Sequence, residues 1–128
     1  MKSYWLVSDA HGARLEQRQV DAPTPGAGQV LVKMHAASLN RGEFIHGHGL
    51  HAAGSAKPAG MEGAGEIVAL GADVQGWAVG ARVMGRCPGA FAEYALMDVR
   101  EVLPVPERLS LQEAASVPLT FLVTHDLL

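Results

Sequence analysis

Three histidines spaced as His46-x-His48-x-x-His51 give this 128-residue chain one segment that could bind a metal ion. Imidazole is a common ligand of Zn²⁺ and Ni²⁺, and this spacing could gather three rings around one ion. The segment contains no cysteine or carboxylate, however, and ordering three ligands in a glycine-rich loop costs much conformational entropy. The sequence therefore favours a glycine-rich loop with solvated histidines, and metal binding is the alternative.

Cys87 is the only thiol of the chain. A reactive cysteine needs neighbours that lower its pKa, and no such pattern surrounds this one. We interpret it as a small apolar side chain before Pro88, with a reactive thiol as the alternative. A single cysteine cannot form a disulfide within the chain, which fits a reducing compartment and predicts a cytoplasmic protein.

Two glycine pairs, Gly26-x-Gly28 and Gly63-x-Gly65, could in principle cradle a phosphate group. The dinucleotide-binding motif needs a third glycine, a preceding strand and a following helix. Gly65 is followed instead by Glu66-Ile67-Val68, which is typical of a strand. We therefore interpret these glycines as turn and close-packing residues.

The charge distribution argues against two classes of partner. Ten basic and 13 acidic residues give a formal net charge of −3, without a run of Lys or Arg. Neither nucleic acid nor an anionic membrane surface is therefore expected as a partner. The longest uncharged apolar stretch, residues 114–123, contains Pro118 and is about half a membrane span. The apolar run at residues 4–7 is far too short for a signal peptide.

Short runs rich in β-branched residues, separated by glycines and prolines, predict a mainly β fold. With 48% hydrophobic and 5% aromatic residues, the core must be aliphatic. Seven such runs with frequent turn signals favour a small β-barrel or sandwich over alternating strands and helices. The predicted strands cover residues 4–7, 15–20, 29–36, 64–70, 80–84, 91–97 and 100–105. In the third of them, alternation places Val30 and Val32 on one face and Lys33 on the other.

Helical patterns lie outside these strands. Residues 40–45 lack alternation and predict a short helical turn. Ser110-Leu111-Gln112-Glu113 forms a capping-box pattern that predicts a helix from Leu111. Because Pro118 lacks an amide hydrogen, that helix must break or restart there, and residues 119–128 form a second helix that is apolar on nearly every side.

Gly60-Met61-Glu62-Gly63-Ala64-Gly65, followed by Gly71 and Val74, is the most informative stretch of the chain. It resembles the signature of the medium-chain dehydrogenase/reductase superfamily, in which Gly-His-Glu precedes glycines at the positions of Gly65 and Gly71. Only the histidine differs, and Met61 replaces it. Four more segments resemble the same family in the same order: residues 37–43, 80–83, 89–94 and 103–118. The resemblance therefore covers the whole chain.

This resemblance implies a GroES-like small β-barrel that forms the substrate-side domain of a reductase. The barrel would carry a short active-site helical turn and a C-terminal helix leading toward a Rossmann domain. Residues 1–109 would form the GroES-like domain, and residues 110–128 the start of the helical connection. Since no Rossmann segment occurs in these 128 residues, we expect a fragment or a truncated product of a longer protein.

The resemblance also bears on zinc. Members that use catalytic zinc supply a cysteine and a histidine at the positions of Asn40 and Met61. Neither an amide nor a thioether replaces thiolate and imidazole as a zinc ligand. The segment between Met84 and Gly89 is also too short for the family's four-cysteine lobe. The chain is thus similar to the zinc-independent, quinone-oxidoreductase-like branch, which typically carries asparagine at the Asn40 position and an acid at that of Glu43. No bound metal is expected.

The implied reaction is hydride transfer from NADPH to a quinone or an α,β-unsaturated carbonyl, which leaves negative charge on the carbonyl oxygen. Asn40 is the first catalytic candidate, because its NH₂ group can donate toward that oxygen or a ribose hydroxyl while its own oxygen stays paired; capping the helical turn is the alternative. Glu43 is the second, as a residue that orients Asn40 or bonds the cofactor ribose, or as a favourable charge in the turn.

Two side chains are candidates for the substrate pocket. Phe44 and Met61 would line an apolar pocket for a planar conjugated substrate, with core packing as the alternative. Glu62 is expected to be a buried hydrogen-bond acceptor or the partner of a basic residue. Trp5 and Trp77 are interpreted as packing residues of the barrel.

The cofactor contacts implied by the resemblance lie at Asn40 and in the last helix. Members of the family often place a threonine there that touches the cofactor. That position aligns with Val123, with Thr124 beside it and Thr120 one turn earlier. The implied partners are NADPH and a small-molecule quinone or enone, and the full-length protein is expected to be a homodimer. These 128 residues alone should neither bind NADPH nor reduce a quinone.

A non-enzymatic function is the alternative hypothesis. A GroES-like barrel could act only as an interaction or oligomerisation module, and the apolar last helix would suit that role. The coding sequence after Leu128 discriminates between the two hypotheses. A glycine-rich strand-turn-helix there favours the enzyme, whereas a natural stop codon favours the module.

Overall fold

The computed structural model describes residues 1–43 and 55–128. Four residues singled out above, Phe44 and the histidines His46, His48 and His51, lie outside the described residues. The described part holds eight strands, all paired antiparallel: β1 Lys2–Asp9, β2 Gly12–Gln19, β3 Gln29–Ala37, β4 Ala56–Pro58, β5 Glu62–Leu70, β6 Arg82–Arg86, β7 Tyr94–Asp98 and β8 Val102–Pro104.

The strands form two sheets that curl into a partly closed barrel. One sheet has the order β2-β1-β4 and the other β7-β3-β5-β6-β8. The segment before β7 joins them, because Tyr4 donates its N–H to the Phe91 carbonyl at 2.8 Å and Glu93 donates to the Lys2 carbonyl at 3.1 Å. The prediction of a mainly β small barrel is confirmed.

All seven predicted strands are present, but their number and limits need correction. Strand β4 was not predicted, because three residues ending in Pro58 are too few to show an alternating pattern. Strand β7 begins at Tyr94, three residues after its predicted start, and β6 begins at Arg82, two residues late. Proline and glycine turns blur strand ends in this way.

The apolar core lies between the curled sheets. Val30 and Val32 are fully buried while Lys33 is exposed, as the alternation in β3 predicts. Ile67 from β5 and Val83 from β6 complete the centre of this cluster, and Trp77 packs against its edge. The barrel is therefore held together by aliphatic side chains from adjacent strands.

Strands β3 and β5 approach each other unusually closely at Gly65. A Cβ atom there would overlap the carbonyl oxygen of Lys33 and would lie 2.9 Å from Cγ1 of Val32. The interpretation of this glycine as a close-packing residue is confirmed, because only a residue without a side chain fits. The register between β3 and β5 shifts on either side of this contact.

The helical parts follow the predicted pattern. A 3₁₀ turn covers Arg41–Glu43, α1 covers Leu111–Ala114 and α2 covers Pro118–Leu127. The Ser110 hydroxyl accepts from the Glu113 N–H, and the Glu113 carboxylate accepts from the Ser110 N–H, both at 3.1 Å. Pro118 occupies the first turn of α2, where its missing amide hydrogen costs nothing.

Helix α1 packs against the sheet, whereas most of α2 does not. Ala114 and Ala115 are buried with Ala64, Met84 and Val105 in a second apolar cluster. In α2 only Pro118 is buried. The chain before α1 is fixed to the sheet because Arg82 donates to the Leu109 carbonyl at 2.6 Å.

Candidate functional site

The 3₁₀ turn after β3 brings the two predicted catalytic residues into direct contact. The Asn40 N–H donates to Oε2 of Glu43 at 3.0 Å, and the Glu43 N–H donates to the Asn40 carbonyl at 3.1 Å. Glu43 is only 6% exposed. Its carboxylate therefore closes the start of the turn from within, which is half of a capping box.

The side chain of Asn40 points to a different partner. Its amide nitrogen donates to Oε1 of Glu62 at 3.3 Å. The sequence-based hypothesis had the amide oxygen paired and the nitrogen free to donate. In the structure the nitrogen is the end held by the protein, and this bond directs the oxygen away from Glu62.

Glu62, at the start of β5, is the best-connected polar side chain near this turn. It is 1% exposed and accepts from the Ser38 hydroxyl at 2.5 Å and from the Leu119 N–H at 2.6 Å, in addition to Asn40. The expectation of a buried acceptor agrees with these contacts. Within residues 1–43 and 55–128, no basic side chain forms an ion pair with it, so hydrogen-bond donors alone satisfy the carboxylate.

A cavity of about 340 Å³ lies beside the turn. Glu43 and Met61 both line it, which places these two predicted residues at one site. The rest of its wall is mainly apolar, with two basic side chains: Leu6, Leu15, Lys57, Pro58, Ala59, Gly60, Arg86, Pro88, Gly89 and Phe91. Apolar walls with a few polar groups are typical of small-molecule sites.

A second groove of about 520 Å³ shares Leu15 and Phe91 with this cavity. It is more open, and none of the described site candidates from the sequence lines it. The candidate substrate cavity is therefore the smaller one, next to Glu43.

The three predicted cofactor contacts in α2 are not part of the cavity wall. Thr120, Val123 and Thr124 are exposed, and the Thr124 hydroxyl donates to the Thr120 carbonyl at 2.8 Å. Their connection to the turn is indirect, because Leu119, next to Thr120, donates to Glu62. Their assignment as cofactor contacts stays a prediction.

Cys87 lies in the barrel core and is fully buried. Burial, and to a smaller extent the negative charge of Glu62, raises the pKa of its thiol to about 12. At neutral pH the side chain is thus a neutral thiol. This agrees with the interpretation of a small apolar side chain and not with that of a reactive one.

The chemistry of the described donors does not suit a metal. Across residues 1–43 and 55–128, no three His, Cys, Asp or Glu side chains come together as a possible metal site. Met61 offers only a thioether, and the carboxylate of Glu62 is already occupied by three donors. These residues do not resemble a zinc site in ligand type or in availability.

The pyrophosphate of a dinucleotide also finds no site in the described residues. Gly63 and Gly65 lie inside β5 and not in a turn before a helix. The start of α2, where a phosphate could otherwise bind, is occupied by the carboxylate of Glu62. A second negative group there would be repelled.

Sequence reasoning missed several residues of this site. Lys57 and Arg86 line the cavity, and Arg86 also lies 3.5 Å from Glu101 as an ion pair. Ser38 was not recognised as a partner of Glu62. Only the alternation around β4 and β6 could have indicated the two basic residues, and β4 is too short to show it.

No helix in the described part of the chain is long and apolar enough to cross a membrane.

Comparisons with known proteins agree with the fold of this chain. The alcohol dehydrogenase GroES-like domain model matches residues 26–107. The spectinabilin polyketide synthase system protein NorB of Streptomyces orinoci is 37% identical over 124 residues, which are 92% of this chain and 6% of that protein.

Two solved structures superpose on nearly the whole chain. A mycobacterial protein complexed with NADPH has a TM-score of 0.86 and 26% identity, with 99% of this chain and 40% of that chain covered. The quinone oxidoreductase of Pseudomonas syringae pv. Tomato has a TM-score of 0.82 and 28% identity, with the same coverage. The chain thus spans less than half of each solved relative and a small fraction of the polyketide synthase protein.

Proposed function

Because the chain belongs to the alcohol dehydrogenase GroES-like domain family of the medium-chain dehydrogenase/reductase superfamily, we propose that it forms the substrate-side domain of an NADPH-dependent, zinc-independent oxidoreductase. Its substrates are quinones or α,β-unsaturated carbonyl compounds. Similarity to an NADPH complex and to a quinone oxidoreductase supports this choice of cofactor and substrate class.

The observation that carries the proposal is the apolar cavity beside the Asn40–Glu43 turn. Its volume of about 340 Å³ and its apolar wall suit a planar conjugated molecule. Glu43 and Met61 bring polar and soft polarisable atoms to the same wall. A substrate bound in this cavity would be oriented against the turn.

Within this proposal the chain's own residues bind and orient, while bound NADPH supplies the hydride. Asn40 is not part of the cavity wall. Glu62 holds its side-chain amide and Glu43 holds its backbone N–H, so its side chain would be presented in one orientation to reactants bound beside the turn. Glu43 keeps the turn closed and contributes to the cavity wall.

The absence of zinc chemistry is part of the proposal. It rests on Asn40 and Met61, which supply an amide and a thioether where the zinc-using branch supplies thiolate and imidazole. Tag-free protein, dialysed against a chelator, should contain no stoichiometric zinc by elemental analysis. One tightly bound Zn²⁺ per chain would contradict this part of the proposal.

The 128 residues alone should not bind NADPH, because the described residues offer no pyrophosphate site. Calorimetry of this chain with NADPH measures this directly. Micromolar binding at one-to-one stoichiometry would reveal a cofactor site that the proposal lacks. The cofactor's main binding region would then have to lie within these residues.

Turnover tests the proposed function as a whole. A protein extended through the residues encoded after Leu128 should consume NADPH in the presence of 1,4-benzoquinone or 2-cyclohexenone. Asn40→Ala in that protein should lower kcat by roughly tenfold to a hundredfold, because the substrate or the cofactor loses an orienting group. No consumption of NADPH with either substrate class would refute the proposal.

A second candidate function is a non-catalytic interaction module. Exposed apolar side chains of α2, such as Phe121 at 64% and Leu127 at 82%, favour it, because such surfaces usually pack against other protein. A stop codon directly after Leu128, together with a stable dimer in sedimentation, would favour this module. In the enzyme hypothesis the same surface belongs to a larger protein, which we expect to be a homodimer.

A further inference from the structure

Glu62 receives hydrogen bonds from three separate parts of the chain. Ser38 and Asn40 lie after β3 and donate to Oε1, whereas Leu119 lies in the first turn of α2 and donates to Oε2. We infer that Glu62 is a positioning residue, which fixes the orientation of the Asn40 amide and ties it to the start of α2. This inference rests on the function proposed above for its effect on catalysis.

The donor and acceptor chemistry leaves Asn40 one orientation. An ionised carboxylate only accepts hydrogen bonds. Asn40 must therefore turn its NH₂ group, and not its oxygen, toward Glu62. The amide oxygen then points away from the carboxylate as an acceptor, which suits a hydroxyl group better than a carbonyl oxygen.

The same carboxylate also satisfies the start of α2. Val117, the residue before this helix, makes no side-chain capping bond. The Leu119 N–H is one of the amide groups that a helix cannot pair internally, and the Oε2 atom of Glu62 accepts it. The negative charge lies at the positive end of the helix dipole, which stabilises both partners.

Glu62 acts on the site only through its neighbours. It is 1% exposed and lines neither the cavity nor the neighbouring groove. Both carboxylate oxygens are occupied by donors. A substrate in the cavity therefore meets Glu43 and Met61, while Glu62 determines how Asn40 is presented.

Glu62→Gln separates these roles without changing the size of the side chain. The Leu119 N–H can only donate, so the oxygen of the new amide must face it, and the new NH₂ group faces Ser38 and Asn40. The Ser38 hydroxyl can become an acceptor. Asn40 must then reverse its amide and turn its own NH₂ group outward.

Asn40 is the only asparagine of the chain, so selective ¹⁵N-asparagine labelling gives a single pair of side-chain amide signals, one for each proton of the NH₂ group. In the wild-type 128-residue chain, one of its two protons should be shifted downfield and exchange slowly. In Glu62→Gln that pattern should be lost. An unchanged signal would overturn the inference, whether or not the proposed function is correct.

Kinetics of the extended protein test the consequence. Glu62→Gln should lower kcat about tenfold with a smaller change in KM, because binding in the cavity persists while orientation is lost. Glu66→Gln, on the same strand and with the same change of charge, is the matched control and should stay within about twofold of wild type.

A charge-swapped double variant provides the rescue. Asn40→Asp combined with Glu62→Gln keeps the net charge, gives the new glutamine NH₂ an acceptor and again turns an oxygen outward. The double variant should recover part of the kcat lost in Glu62→Gln. Asn40→Asp alone brings two carboxylates together, and its kcat should be lower than that of Glu62→Gln and of the double variant. A double variant no better than Glu62→Gln would contradict the inference. If Glu62→Gln fails to fold, a folded double variant supports the pairing, and failure of both overturns it.

Discussion

The five-stranded sheet and helix α2 meet at Glu62, yet the two are stabilised in different ways. The sheet buries its own apolar residues, such as Val30, Val32 and Ile67, and its backbones touch at Gly65. Helix α2 leaves Phe121 and Leu127 exposed and is attached near its first turn. The sheet is therefore stabilised by its own apolar side chains, whereas helix α2 is held by a hydrogen bond to Glu62 of β5.

This difference separates two kinds of position. Changes inside the sheet should alter the stability of the whole domain, because close-packed interiors relax little. Substitutions near the helices should have smaller effects on stability and larger effects on the orientation of side chains at the site. The following measurements compare the two regions, beginning with the largest expected effect.

The thiol of Cys87 reports on opening of the sheet. Because its pKa is about 12, compared with 9.0 for an ordinary thiol, the thiolate fraction at pH 8 falls about a thousandfold, and burial slows reaction further. Labelling with Ellman's reagent should be at least that much slower in the folded chain than in urea. Cys87→Ser gives the blank, and rapid labelling under native conditions would show that the sheet opens easily.

Substitution at Gly65 tests the close contact between β3 and β5. Gly65→Ala should lower the free energy of unfolding by about 2 kcal/mol, because the added Cβ overlaps the Lys33 carbonyl. Urea denaturation followed by circular dichroism measures the change. Gly26→Ala is the matched control, since a Cβ there meets only the flexible end of Gln29 at 3.3 Å. Equal stability of the two variants would mean that the sheet absorbs the extra atom.

The capping box of α1 tests the helical side. Ser110→Ala removes the acceptor for the Glu113 N–H and should cost about 1 kcal/mol of unfolding free energy. Ser116→Ala, which removes an exposed hydroxyl that donates to the Glu113 carbonyl, should cost less. Thermal melts of both variants provide the comparison. A Ser110→Ala loss as large as that of Gly65→Ala would remove the distinction between the two regions.

The sequence predicted those parts of the fold that depend on neighbouring residues. The alternation of Val30 and Val32, the capping box at Ser110 and the restart at Pro118 are all local patterns, and each is present in the structure. The glycine at position 65 was also interpreted correctly, because the strand pattern that follows it is incompatible with a phosphate-binding turn before a helix. Strand β4 was not predicted, because three residues are too few to show an alternation of apolar and polar side chains.

The site was less predictable because its contacts join distant residues. Asn40 and Glu43 are three positions apart, and their contact follows from the helical turn. The bonds of Glu62 to Asn40 and to Leu119 span 22 and 57 residues, so no local pattern reveals them. The orientation of the Asn40 amide follows only once Oε1 of Glu62 is known to be the atom that faces it.

The bond between Leu119 and Glu62 has a consequence for tolerance to mutation. The helix donates through its main chain, so the contact is available to almost any amino acid at position 119. Only proline, which lacks the amide hydrogen, would remove it. The surface of α2 can therefore be redesigned, or its apolar residues replaced by polar ones, while the helix stays attached to the barrel at the same point.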